Sequence, residues 1–163
     1  RTSLRCARSP LTPTVRQLTL MTREILTYPL DRPSLEAELA FLVQHFRTLG
    51  YDRCTAFFGH AWGERYPQDP WTPVDLPLEA LVAEVSRIEA AGFGALGDDD
   101  LFITLAAFPL EFRFCNDSDI HLSFEEPSDI AEVFYQRWRG RGYRPAEWGS
   151  APLGQERPCL RRT

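Results

Sequence analysis

Two alternating stretches joined by a short polar turn constrain this chain more than any other feature. Leu110, Phe112 and Phe114 alternate with Glu111, Arg113 and Cys115, and Ile120, Leu122 and Phe124 alternate with His121, Ser123 and Glu125. Successive strand residues point to opposite faces, so the two apolar sets share a face only if an odd number of residues joins the strands. A loop of residues 116–118 pairs Phe114 with Ile120, Phe112 with Leu122 and Leu110 with Phe124. On the other face it sets Arg113 against His121 and Glu111 against Ser123. A five-residue loop keeps the same parity. Asn116, Asp117 and Ser118 suit either length, because their side chains bond to the nearby backbone.

The same stretch carries the densest chemistry of the chain. Asp119 and His121 share one strand side, and a third group such as His60 could join them as a metal ligand or an acid/base partner. The pattern is short, and no second motif accompanies it. The expectation is therefore a polar hairpin face with no metal and no cofactor, on which the Arg113 cation opposite His121 disfavours protonation.

Helices are marked by the other period. Asp31, Pro33 and Ser34 open a stretch in which Leu35, Leu39, Leu42, Phe46 and Leu49 form one stripe, closed by Gly50, with His45 beside the stripe. After Asp75, the residues Leu78, Leu81, Val82, Val85 and Ile88 form a second stripe, ended by Gly92. A third helix is predicted from about Pro127 to Trp138, with Ile130, Val133, Phe134 and Trp138 inward. Strands are predicted after Met21 (TREILTYPL), over DRCTAFFGHAWG, and over the segments from GDDDLFITLAAFPLEFRFC to DIHLSFEE, with a bend at Pro109. The order β-α-β-α-β-β-β-α gives an α+β fold, a single mixed or antiparallel sheet with about three helices packed mainly on one face.

All 18 basic residues are arginine. This excludes a Schiff-base lysine and the Gly-Lys-Ser/Thr phosphate loop, and it reads as the codon usage of a GC-rich bacterial genome. Residues 1–20 hold four arginines and no acid, and the lone methionine, Met21, follows them. They are expected to be a non-native or disordered leader, with residues 21–148 forming the single α+β domain and 149–163 a flexible C-terminal tail. From Met21 onward 14 arginines stand against 23 acids, a net charge of −9 that repels phosphate backbones and favours basic partners. Interrupted apolar runs fall short of the roughly 18 residues that a membrane span needs. Cysteines 6, 54, 115 and 159 show no paired spacing, and Cys54 and Cys115 read as small buried hydrophobes of a reducing cytoplasm.

Other motifs are weaker. GFGALG, residues 92–97, follows a helix and precedes a strand, the reverse of a pyrophosphate-binding turn. The arginines between Tyr135 and Pro145 complement a helix C-terminus. Trp62, Tyr66 and Trp71, in a proline-rich loop, and Asp98, Asp99 and Asp100 are the candidate binding residues. The resulting expectation is a non-catalytic, acidic, cytoplasmic bacterial module that binds a basic protein partner, without nucleic acid or membrane, as an immunity or antitoxin-like inhibitor would. The alternative is a small, metal-dependent or metal-free hydrolase using Asp119, His121 and His60.

Overall fold

The computed structural model describes residues 22–59, 73–92, 94–125 and 128–148. The leader, the tail, His60, Trp62, Tyr66 and Trp71 lie outside the described residues. Seven strands form one sheet: β1 (Thr22–Leu26), β2 (Arg53–Phe58), β3 (Val74–Pro77), β4 (Leu101–Thr104), β5 (Leu110–Phe114), β6 (Ile120–Glu125) and β7 (Ala146–Trp148). Among the described residues three α-helices accompany them: α1 (Arg32–Thr48), α2 (Leu81–Ala90), which continues a single 3₁₀ turn at Leu78–Ala80, and α3 (Asp129–Gly140). The spatial order is β3-β2-β4-β5-β6-β1-β7 with every neighbour antiparallel. The fold is α+β, and the mixed alternative drops out.

β3 and β7 are absent from the sequence-based order. Each is short, carries a proline or charges, and lies at a sheet edge, where half of its backbone groups need no partner strand. They complete two symmetrical arrangements. β3 and β4 flank β2 and are joined through α2, while β6 and β7 flank β1 and are joined through α3. β1 thereby sits between β6 and β7, far in sequence from both.

The hairpin of β5 and β6 has the register that parity demands: Phe114 faces Ile120, Phe112 faces Leu122, Leu110 faces Phe124, and Arg113 faces His121. The connecting turn is residues 116–118, closed by hydrogen bonds from the Cys115 amide to the Asp119 carbonyl and from the Ser118 amide to the Cys115 carbonyl. Ser118 takes a left-handed backbone, φ 63°. It is held there by its hydroxyl donating to the Gly97 carbonyl (2.9 Å) and by its own carbonyl accepting from the Leu30 amide (2.7 Å). Gly97, itself at φ 92°, sits where a side chain would be strained, and a Cβ there would lie 2.6 Å from Leu35 Cδ1 and displace it.

One core lies between the sheet and the helices. Ile25, Ala56, Ile103, Phe112 and Leu122 meet Leu35, Leu39, Leu42 and Phe46 of α1, Leu81, Val85 and Ile88 of α2, and Ala131, Phe134 and Trp138 of α3. Phe112 and Phe134 meet edge to face with centroids 4.6 Å apart, and Phe46 stacks on Phe134. Each such buried side chain stabilises the fold by about 1.5–3 kcal/mol.

Stripe residues at three positions depart from expectation. Leu49, Val82 and Val133 are exposed, because each lies at the rim of its helix's apolar stripe, just beyond the reach of the sheet. α1 starts where its signals predict, with the Asp31 carboxylate accepting from the Ser34 amide, and α3 starts at Ser128, which caps Ala131.

Candidate functional site

The sheet face turned away from the helices carries every second residue of β1, β5 and β6. Glu24 of β1 pairs with Ser123, Leu26 pairs with His121, and His121 also faces Arg113 of β5. Cys115 and Asp119 extend the two strands by one residue on either side of the turn, so the alternation that buries Phe114 and Ile120 puts both on this second face. A thiol, two carboxylates, an imidazole and a guanidinium meet there.

His121 is the hub. Its Nδ1 lies 3.0 Å from Glu24 Oε1 and its Nε2 lies 3.2 Å from Asp119 Oδ2. Ser123 donates its hydroxyl to the same Glu24 oxygen at 3.3 Å. Burial opposes charge on the imidazole, but hydrogen bonding with Asp119, Cys115 and Glu24 outweighs it and pushes the His121 pKa up to about 11. His121 is therefore an imidazolium, with one N–H donating to each carboxylate. Burial alone would raise the Asp119 pKa, but the hydrogen bond with His121, with Cys115 and Arg113 nearby, leaves it below the ordinary value. The expectation that Arg113 would keep His121 neutral is overturned. Arg113 Nε is directed to Cys115 Sγ (3.0 Å) and lies 3.6 Å from Asp100 Oδ1, while Asp119, Cys115 and Glu24 support the charge of His121.

Asp119 is also not the surface group that strand alternation suggested, since only 5% of it is exposed. One of its oxygens, Oδ1, is fully buried and has no hydrogen-bond partner among the described residues. Cys115 is buried, and burial pushes its pKa up to about 11 despite His121 and Arg113 beside it, so it stays a thiol at neutral pH. Donor atoms of Cys115, Asp119 and His121 lie within 4.8 Å of one another.

The candidates named from the sequence thus divide. Asp119 and His121 come together as proposed, while His60, Trp62, Tyr66 and Trp71 fall outside the described residues. Asp99 uses its carboxylate to accept from the Ala95 amide (2.9 Å), and Asp100 accepts from the Asn116 amide (3.2 Å), so both hold turns in place. Asp98 remains exposed beside them.

Two members of the cluster were missed. Cys115 was legible, because the parity that pairs Phe114 with Ile120 also sets Cys115 on the side of Arg113, Asp119 and His121. Reading it as an inert apolar residue overlooked those polar neighbours. Glu24 carried no comparable signal, since nothing local says that β1 docks beside β6.

No family model matches this chain, and no curated protein or solved structure is significantly similar to it. Among the described residues no helix is long and apolar enough to cross a membrane.

Proposed function

We propose that this chain is a non-catalytic acidic module that binds a basic protein, with an immunity or antitoxin-like inhibitor as the concrete instance. The observation that carries the reading is the joining of two acidic turns into one surface. The Asp98–Asp100 turn and the hairpin tip at Asp117 are distant in sequence. They are stitched together by the Asn116 amide on Asp100 and by the Ser118 hydroxyl on the Gly97 carbonyl. Asp31 opens α1 just after Leu30, whose amide bonds the same Ser118. Carboxylates on one end of a chain of formal net charge −5 favour a cationic partner, speeding encounter and fixing orientation.

Metal-free acid/base hydrolysis by Asp119 and His121 fits less well. A general base needs a free imidazole nitrogen near neutral pH, and both nitrogens of His121 are committed to carboxylates as donors. A thiol nucleophile needs a lowered pKa, whereas that of Cys115 is raised.

The reading is tested by mixing the purified chain with the product of the gene neighbouring its own and following association by calorimetry. A one-to-one complex that weakens about tenfold or more in high salt, and again in the Asp98→Asn, Asp117→Asn variant, supports it. A complex indifferent to salt and to both substitutions, or steady turnover of a model ester that disappears in His121→Gln, refutes it.

A further inference from the structure

We infer that Cys115, Asp119 and His121 form a binding site for one zinc ion, with Glu24 as the group that orients the histidine. The inference does not rest on the partner-binding reading and involves different residues from the acidic turns.

The donor set is mixed in the way zinc favours: one sulfur, one imidazole nitrogen and one carboxylate oxygen. Magnesium and calcium bind oxygen-only sites and would leave the sulfur and nitrogen unused. Zinc bonds of about 2.0–2.3 Å place tetrahedral donors roughly 3.3–3.7 Å apart. The His121–Asp119 separation of 3.2 Å is already close to that, and all three donors lie within 4.8 Å of one another.

Three further observations point the same way. Asp119 is 95% buried by its 5% exposure, yet Oδ1 has no hydrogen-bond partner among the described residues, which is a costly arrangement for a carboxylate oxygen unless something else binds it. Glu24 accepts from Nδ1 of His121, leaving Nε2 aimed at Asp119. That is the carboxylate–histidine–metal geometry in which an outer carboxylate fixes the ring and raises its basicity. Arg113 Nε at 3.0 Å from Cys115 Sγ supplies a cation beside a metal-bound thiolate.

Binding exchanges protons for the ion. The Sγ–H proton of Cys115 and the Nε2–H proton of His121 pass to the buffer, and their lone pairs bond to zinc together with an Asp119 oxygen. The Nδ1–H stays on Glu24. Three protein donors leave a fourth position for water or an incoming ligand.

Metal-stripped full-length chain, in a Cys6→Ser, Cys159→Ser background, is titrated with Co²⁺ and then with Zn²⁺. The expected result is one equivalent of Co²⁺ with tetrahedral visible bands and a near-ultraviolet thiolate charge-transfer band, all displaced by zinc. Cys115→Ser should abolish the charge-transfer band, and His121→Gln and Asp119→Asn should each weaken cobalt binding at least about tenfold. Glu24→Gln should weaken it about 10–100-fold while the charge-transfer band persists. Cys54→Ala, on the opposite face of the sheet, should change nothing. Substoichiometric binding, or a charge-transfer band that survives Cys115→Ser, overturns the inference. If Cys115→Ser fails to fold, NMR of the parent chain decides: cobalt must shift the ring protons of His121 and leave those of His45 in place, and any other pattern overturns the site.

Discussion

Two buried carboxylates, one on each side of the sheet, are held in different ways. On the helix side, Glu38 is 2% exposed and both of its oxygens are satisfied. Arg137 Nε donates to them at 2.8 and 3.1 Å, Trp138 Nε1 donates at 3.2 Å, and the Arg137 guanidinium lies 3.7 Å over the ring of Phe41. On the other side, Asp119 is almost as buried but has an oxygen without a partner among the described residues, in a cluster that also holds a thiol and an imidazole. The first arrangement is closed, tying α1 to α3. The second is open, and its thiol, imidazole and carboxylate together offer coordination chemistry.

The two described histidines differ as well. His45 lies between Phe41, Phe46 and Phe134 on the helix side, and burial lowers its pKa. His121, among carboxylates, is held charged. One residue type therefore serves as a neutral aromatic filler on one face and as a cation on the other. The environment decides which.

The largest effect expected is at the closed site. Glu38→Ala should lower stability by about 3–5 kcal/mol in urea denaturation, because it leaves the Arg137 charge and the Trp138 N–H without their acceptor. Asp119→Asn in the metal-free protein should cost about 1–3 kcal/mol, since Asn keeps an acceptor for His121 but loses the charge. A larger loss at Asp119 than at Glu38 would erase the distinction between the faces.

Next come the pH limbs, measured with chelator present. The folded pKa of His121 lies above its unfolded value of about 6.5, so its contribution is complete below that pH and is lost as pH rises toward about 11. His121→Gln should flatten this alkaline loss. The folded pKa of His45 lies below about 6.5, so its neutral form stabilises above that pH and the contribution is lost as pH falls. His45→Phe should flatten the acid side instead. Identical limbs in both variants would show that the two environments are alike.

The smallest effect belongs to neither face. Asp117→Ala, at the hairpin tip, should change stability by under about 1 kcal/mol, as for a turn residue whose local bonding is weak. A greater loss would show that the acidic end is structural rather than a contact surface.

Much of this contrast is visible along the chain, and the exceptions have physical causes. Glu38 sits one position before Leu39 in a stripe that reads as apolar, so periodicity alone assigns it to the edge of the core without revealing that Arg137, 99 residues later, would reach it. Arg137 in turn reads as a helix-end cation, and it does lie in the last turn of α3, but its carboxylate partner comes from another helix. β3 and β7 escape because three or four residues with a proline or charges carry no period to detect.

What the sequence determined by itself is local and periodic: the register of β5 and β6, the starts of α1 and α3, and the polar sidedness of Arg113, Cys115, Asp119 and His121. A strand's side chains alternate whatever surrounds them, so parity needs no knowledge of the rest of the chain. The first support of the charge on His121, Asp119, is a near neighbour in sequence, and only the tertiary structure decided its second carboxylate. β1 is inserted between β6 and β7, which brings Glu24 from 97 residues earlier to the imidazole. Electrostatic energy depends on distance and burial rather than on sequence separation, and no local pattern records where a distant carboxylate comes to rest.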